Sequence, residues 1–130
     1  MSACLDSWAV LAWLDGDQPA CARVDAVVAR RPTISWINLV EVAYRVERDH
    51  GRDEATALLA DLRRVLDPDL PGTSRMIEAA HVKAAHPIAL GDCFAIATAT
   101  ARGLPLWTGD PEIIDRSDRL GCEIVDLRAP

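Results

Sequence analysis

One stretch limits the folds open to this chain more than any other. It is Leu90-Gly91-Asp92-Cys93-Phe94-Ala95-Ile96-Ala97-Thr98-Ala99-Thr100-Ala101, and no charge stands between Asp92 and Arg102. The pattern predicts a helix apolar on nearly every face, and such a helix is buried. Gly103 is a good stop for it. Yet the helix opens on a carboxylate. Either Asp92 caps it and favours its dipole, or a carboxylate has been placed at the floor of a site.

The rest of the chain alternates short apolar runs with helical patterns. Residues 2–5 read as a strand ended by Asp6-Ser7, and 8–14 as a helix broken at Asp15-Gly16-Asp17. Asp17 is expected to cap the next helix, with Pro19 in its first turn. Cys21, Val24, Val27 and Val28 form its apolar stripe. A strand at 33–35 precedes a helix at 36–48 that is apolar nearly all round, interrupted by Asn38, Glu41 and Arg45. After Gly51, Asp53 is expected to cap an amphipathic helix with Ala55, Leu58, Leu59, Leu62 and Val65 on one side. A brief strand is placed near Val65-Leu66, before a connection at 67–72. A helix at 73–86 should turn Met76, Ile77, Ala80 and Ala84 inward. Strands at 104–108 and 122–127 flank Gly109-Asp110-Pro111 and a short helical turn.

Strands alternating with helices imply an α/β sandwich with a mainly parallel sheet of short strands, because parallel pairs need crossover connections. At 130 residues one domain, 1–130, is expected. Ligand sites in such sheets lie at the C-terminal edge of the strands.

Asp6 follows the first strand directly, and Asp110 follows the 104–108 strand, so both fall on that edge. Asp92 starts the buried helix. Glu41 lies on a helical stripe with Ile37, Val40 and Tyr44, and so does not simply point to solvent. Each has a plain structural reading. Asp6 and Asp110 are good helix caps, and Arg45 at i+4 can pair with Glu41. Together they form a different pattern. Four carboxylates near one edge repel and destabilise the fold, and divalent metal removes that penalty. Oxygen-only ligation selects Mg²⁺ or Mn²⁺ over zinc. Such sites perform phosphoryl chemistry by activating water and stabilising the leaving oxygen.

Charge bears on the partner. The net charge is −6, with 20 acidic and 14 basic residues. General nucleic-acid binders are basic, but two divalent cations would bring −6 + 4 = −2. Thirteen of the 14 basic residues are Arg; their forks suit phosphate, and codon bias gives the same ratio. Cys4, Cys21, Cys93 and Cys122 show no C-x-x-C or zinc spacing and read as reduced thiols. No secretory signal or membrane span is present, which leads to an expectation of a cytoplasmic protein.

Taken in order, Leu5-Asp6-Ser7, Asn38-Leu39-Val40-Glu41-Val42, the stretch from Leu90-Gly91-Asp92 to Ala99, and Leu106-Trp107-Thr108-Gly109-Asp110 resemble the PIN domain. Within it they resemble the VapC toxins of bacterial type II toxin–antitoxin pairs, over essentially the whole chain. The resemblance implies a three-layer α/β/α sandwich and a metal-dependent, single-strand-specific endoribonuclease. Asp6, Glu41, Asp92 and Asp110 carry over as the acidic quartet holding one or two Mg²⁺ or Mn²⁺ ions. Thr108 carries over as a hydroxyl that orients carboxylates or water, with Ser7 as a second candidate. Cleavage by metal-bound water would leave 5′-phosphate and 3′-hydroxyl ends. The resemblance also implies a tRNA or other structured RNA as substrate, a VapB-type antitoxin that blocks the site, and homodimerisation. Cys93 stands where the family often has Ala. Asp115 and Asp118 have no clear counterpart and read as surface or capping residues, with a supporting role for Asp115 left open.

The alternative is an inactive PIN-like module that only binds RNA or protein. A phospho-accepting or phosphatase domain fits less well. The one lysine, Lys83, lies inside a helix, and Asp6 is not part of an Asp-x-Asp. His50, His81 and His86 fall near helix ends, away from any nucleophile. Trp8, Trp13, Trp36 and Trp107 read as core or interface anchors. Arg30-Arg31 and Arg63-Arg64 read as solvated helix ends that could touch phosphates.

Overall fold

The computed structural model of the protein describes residues 2–130. Five short strands form one parallel sheet: β1 (Cys4–Leu5), β2 (Thr33–Ser35), β3 (Asp67–Asp69), β4 (Leu106–Thr108) and β5 (Ile124–Asp126). Their order is β3-β2-β1-β4-β5. The crossovers carry α1 (Ser7–Asp15), α2 (Ala20–Val28), α3 (Trp36–His50), α4 (Arg52–Val65), α5 (Thr73–Ala85), α6 (Leu90–Arg102) and α7 (Pro111–Ile114).

Strand alternation assigns the layers. Successive side chains leave opposite faces. Leu5 and its register partner Ile34 belong to a core with residues of α1 to α4. Cys4 and its partner Leu106 belong to a second core, built with α5 and α6. The result is the expected α/β/α sandwich. Every residue of α6 from Gly91 to Ala99 is buried. Its small side chains let it lie close to the sheet, and this fixes the position of its first turn.

Several local expectations need correction. The third strand is at Asp67–Asp69, not at Val65-Leu66. A proline argues against a central strand but is tolerated at an edge, and β3 is an edge strand. Helix α3 is not buried all round. Only Asn38, Leu39 and Val42 are buried, while Trp36, Val40 and Tyr44 border an open apolar groove against α4. Helix α5 is rotated from its expected face: Ala79 is buried, but Met76 and Ile77 are 49% and 61% exposed. Neither Asp17 nor Asp53 caps a helix with its side chain. Gln18 Oε1 accepts from Ala22 N instead.

The rotation of α5 has an ionic cause. Asp69, 4% exposed, accepts from Arg75 Nε at 2.6 Å and Nη2 at 3.0 Å, from Arg102 Nε at 3.1 Å, and from Thr98 Oγ1 at 3.1 Å. Burial works against its charge, but these donors outweigh it and hold the carboxyl below the usual range. The cluster ties β3 to α5 and α6. Removing Asp69 leaves Arg75 without its carboxylate partner and Thr98 without its acceptor, while Arg102 keeps Asp67, so Asp69→Ala is expected to cost about 3 kcal/mol. A urea titration monitored by circular dichroism reads it; an unchanged midpoint would mean the cluster contributes nothing.

Candidate active site

Asp6 sits at the junction of β1 and α1, 2% exposed. Its Oδ1 accepts from Ala9 N at 2.9 Å, so it does cap α1. The Thr108 hydroxyl, at the end of neighbouring β4, lies close enough to this carboxyl to favour its charged form. Thr108 Oγ1 accepts in turn from Asp110 N at 3.0 Å. One hydroxyl therefore links the two acidic strand ends. Asp110 caps α7 through Glu112 N at 2.9 Å, with Pro111 in the first turn.

Asp92 behaves differently. The N-cap of α6 is Ala89, and no side chain caps that helix. Asp92 lies in the first turn, 9% exposed, and accepts no hydrogen bond among the described residues. The capping role weighed for it from sequence is absent. Glu41 reaches the same region from α3. Its Oε1 accepts from Asn38 Nδ2 at 2.7 Å and from Ser7 Oγ at 3.2 Å. Arg45, the alternative structural partner at i+4, makes no ion pair with it among the described residues.

These groups share one cleft of about 670 Å³. Glu41, Asp92 and Asp110 line it, with Asp6 buried beneath. Asp15, Asp17 and Glu112 add further acid, and Arg45 stands in the wall. Sequence reasoning missed these three acids. Glu112 had a signal, as the next acid after Asp110 in the turn that Asp110 caps. Asp15 and Asp17 flank Gly16, whose φ of 73° closes α1, but nothing local says that this turn borders the cleft.

The electrostatics follow from the crowding. Burial pushes Asp6 up to about 7; Thr108 and the Ala9 hydrogen bond pull against this, while Asp110 and Glu41 push it further. Burial also lifts Asp92 to about 7, helped by Asp110, Asp6, Glu41 and Glu112. The donors are all oxygen and mutually repelling, which suits a hard divalent cation. Among the described residues, no three His, Cys, Asp or Glu side chains are drawn into a ready chelate. His50, His81 and His86 do not line this cleft.

Two glycines shape the site. A Cβ on Gly91 would fall on the Glu41 carboxylate. A Cβ on Gly109 would fall on the Trp8 indole, which lines the cleft beside Asp110. Gly109→Ala is therefore expected to cost about 1–3 kcal/mol, as overpacking does. A lowered urea midpoint checks it, and no change would show that the indole yields freely.

The comparisons agree with this architecture. A DNA-bound VapBC from Salmonella typhimurium superposes with a TM-score of 0.76 at 20% identity, covering 98% of each chain. A toxin–antitoxin complex from Klebsiella pneumoniae gives 0.74 at 19%, covering 95% of this chain and 96% of that one. The sarcin–ricin-loop-cleaving toxin VapC20 of Mycobacterium tuberculosis gives 0.72 at 18%, covering 88% and 94%. No curated protein sequence matches the chain. The PIN domain profile matches residues 3–119. With that match across nearly its whole length, the chain belongs to the PIN domain family.

Proposed function

We propose that this chain acts as one PIN domain over residues 1–130, a VapC-type toxin of a type II toxin–antitoxin pair. Its activity is metal-dependent hydrolysis of RNA phosphodiesters in the cytoplasm. The observation that carries the reading is the convergence of Glu41, Asp92 and Asp110 on one cleft with Asp6 buried beside it, where burial pushes Asp6 and Asp92 up to about 7. Folding two buried carboxyls against their own repulsion is unfavourable without a cation to share. Family membership and the likeness to toxin–antitoxin complexes support the same assignment.

Asp6, Glu41, Asp92 and Asp110 would hold Mg²⁺ or Mn²⁺, which supplies an acidified water and charge stabilisation at phosphate oxygens. The chain's other residues prepare that site. Thr108 favours the ionised form of Asp6 and accepts from the Asp110 backbone, fixing the β4–α7 turn. Ser7 donates to Glu41. Arg45, the one basic residue in the cleft wall, can meet a substrate phosphate. The water route uses no 2′-hydroxyl as nucleophile.

The proposed substrate is a single-stranded loop of a tRNA or another structured RNA. The proposed partners are a VapB-type antitoxin and a second copy of the chain. Exposed apolar faces support the need for partners. Trp36, Val40 and Tyr44 are 43%, 49% and 55% exposed along α3, and Leu70 is 68% exposed beside them.

The test uses single-stranded RNA with Mg²⁺ or Mn²⁺, with EDTA, and with a 2′-deoxy sugar at the scissile position. Cleavage should vanish in EDTA, return with Mn²⁺, and persist on the deoxy substrate. Complete resistance of a deoxy substrate that still binds would overturn the mechanism.

A further inference from the structure

Asn38 is 0% exposed and sits in the first turn of α3. Its Nδ2 donates to Glu41 Oε1 at 2.7 Å and to the Gly91 carbonyl at 3.2 Å. Its Oδ1 has no partner among the described residues. A buried acceptor without a donor is costly. Turning the amide over would be worse, because its oxygen would then face two acceptors. Residues next to a merely structural need would satisfy both ends or be apolar. Here only the donor half is used, and it is spent on a carboxylate and on the first turn of the helix that carries Asp92. The fit is close on the other side too, since a Cβ on Gly91 would strike Glu41.

We propose that Asn38 is a positioning residue, tying the Glu41 carboxylate to the first turn of α6 and so keeping Glu41 in register with Asp92. The proposal rests on the metal-site reading above. Asn38 itself does not touch the reacting atoms. It acts through Glu41, much as outer partners orient the ligands of other metal centres.

The test is calorimetric titration of the purified full chain with Mn²⁺, which reads binding and not turnover. Asn38→Leu keeps the bulk and removes the donor; Asn38→Ala serves if Leu does not fit, since Ala is the best helix former. Each is made with Glu41 intact and with Glu41→Gln. With Glu41 intact, losing Asn38 should weaken Mn²⁺ binding about 10–100-fold. In the Glu41→Gln background the same change should cost almost nothing, because residues acting through one group are not additive. Equal losses in both backgrounds, or no loss in either, would overturn the proposal. Asp92→Asn separates the two levels. If it binds Mn²⁺ like the wild type, or the wild type binds none, the site reading fails and the proposal falls with it. If Asp92→Asn loses binding while both Asn38 variants keep it, only the role of Asn38 is refuted.

Discussion

Asp92→Asn is expected to lower RNA cleavage by at least about 10²-fold, the scale of losing one electrostatic contact to the transition state. It is also expected to raise the thermal stability of the metal-free protein at pH 8. The two effects have one cause. Asp92 lies in a buried first turn with no hydrogen bond to satisfy it among the described residues, facing Asp110, Asp6 and Glu41. At pH 8 it is ionised against that field. The amide keeps the shape and removes the charge. Asn is no better a helix former than Asp, so propensity does not explain a gain. Melting in EDTA, paired with a cleavage assay, reads both effects. A variant that loses activity and stability together would place Asp92 in the fold and not in the site.

The second large effect is a pH dependence of the metal-free protein, offset at high pH by metal. Asp6 and Asp92 have folded values of about 7 against an ordinary value of 3.8. Between these values the folded state keeps protons that the unfolded chain releases. Their contribution to stability is therefore full below the unfolded value and lost as pH rises through 7. Asp69 runs the other way. It is held below the usual range by Arg75 and Arg102 against its own burial, so its contribution is lost only in stronger acid. In EDTA the melting temperature should fall from pH 5 to pH 8. Mg²⁺ at a hundred times its Kd should add about 2.7 kcal/mol at pH 8, a rise on the order of 10 °C for a chain of this size. A profile in EDTA that rises towards pH 8 would contradict the assignment of these two carboxyls.

The site was legible in the sequence because its parts carry local signals. Asp6 and Asp110 each follow a strand, and Asp92 opens an uncharged helix. All strands run parallel, so these signals place the acids on one edge without knowledge of the packing. What stayed hidden depends on contacts between distant residues. The face that α5 buries is decided by Arg75 meeting Asp69, and nothing in the pattern of Met76 and Ile77 reveals it. Strand β3 contains Pro68 and is possible only because it lies at an edge. Asn38 read as an interruption of an apolar helix, yet it is buried, because its partner is the Gly91 carbonyl on α6. Val40 and Tyr44 suggested that Glu41 sat on a buried stripe. They are exposed, and Glu41 is held by hydrogen bonds to Ser7 and Asn38.

In the proposed function the carboxylates of one cleft cut RNA with a divalent metal. End-group mapping of RNA treated with wild type and Asp92→Asn, with Mg²⁺ and with EDTA, tests it most directly. Wild type with Mg²⁺ should leave 5′-phosphate and 3′-hydroxyl ends, and cleavage should be lost or strongly reduced in the other combinations. Equal cleavage by both proteins, or 2′,3′-cyclic phosphate ends that persist in EDTA, would contradict it.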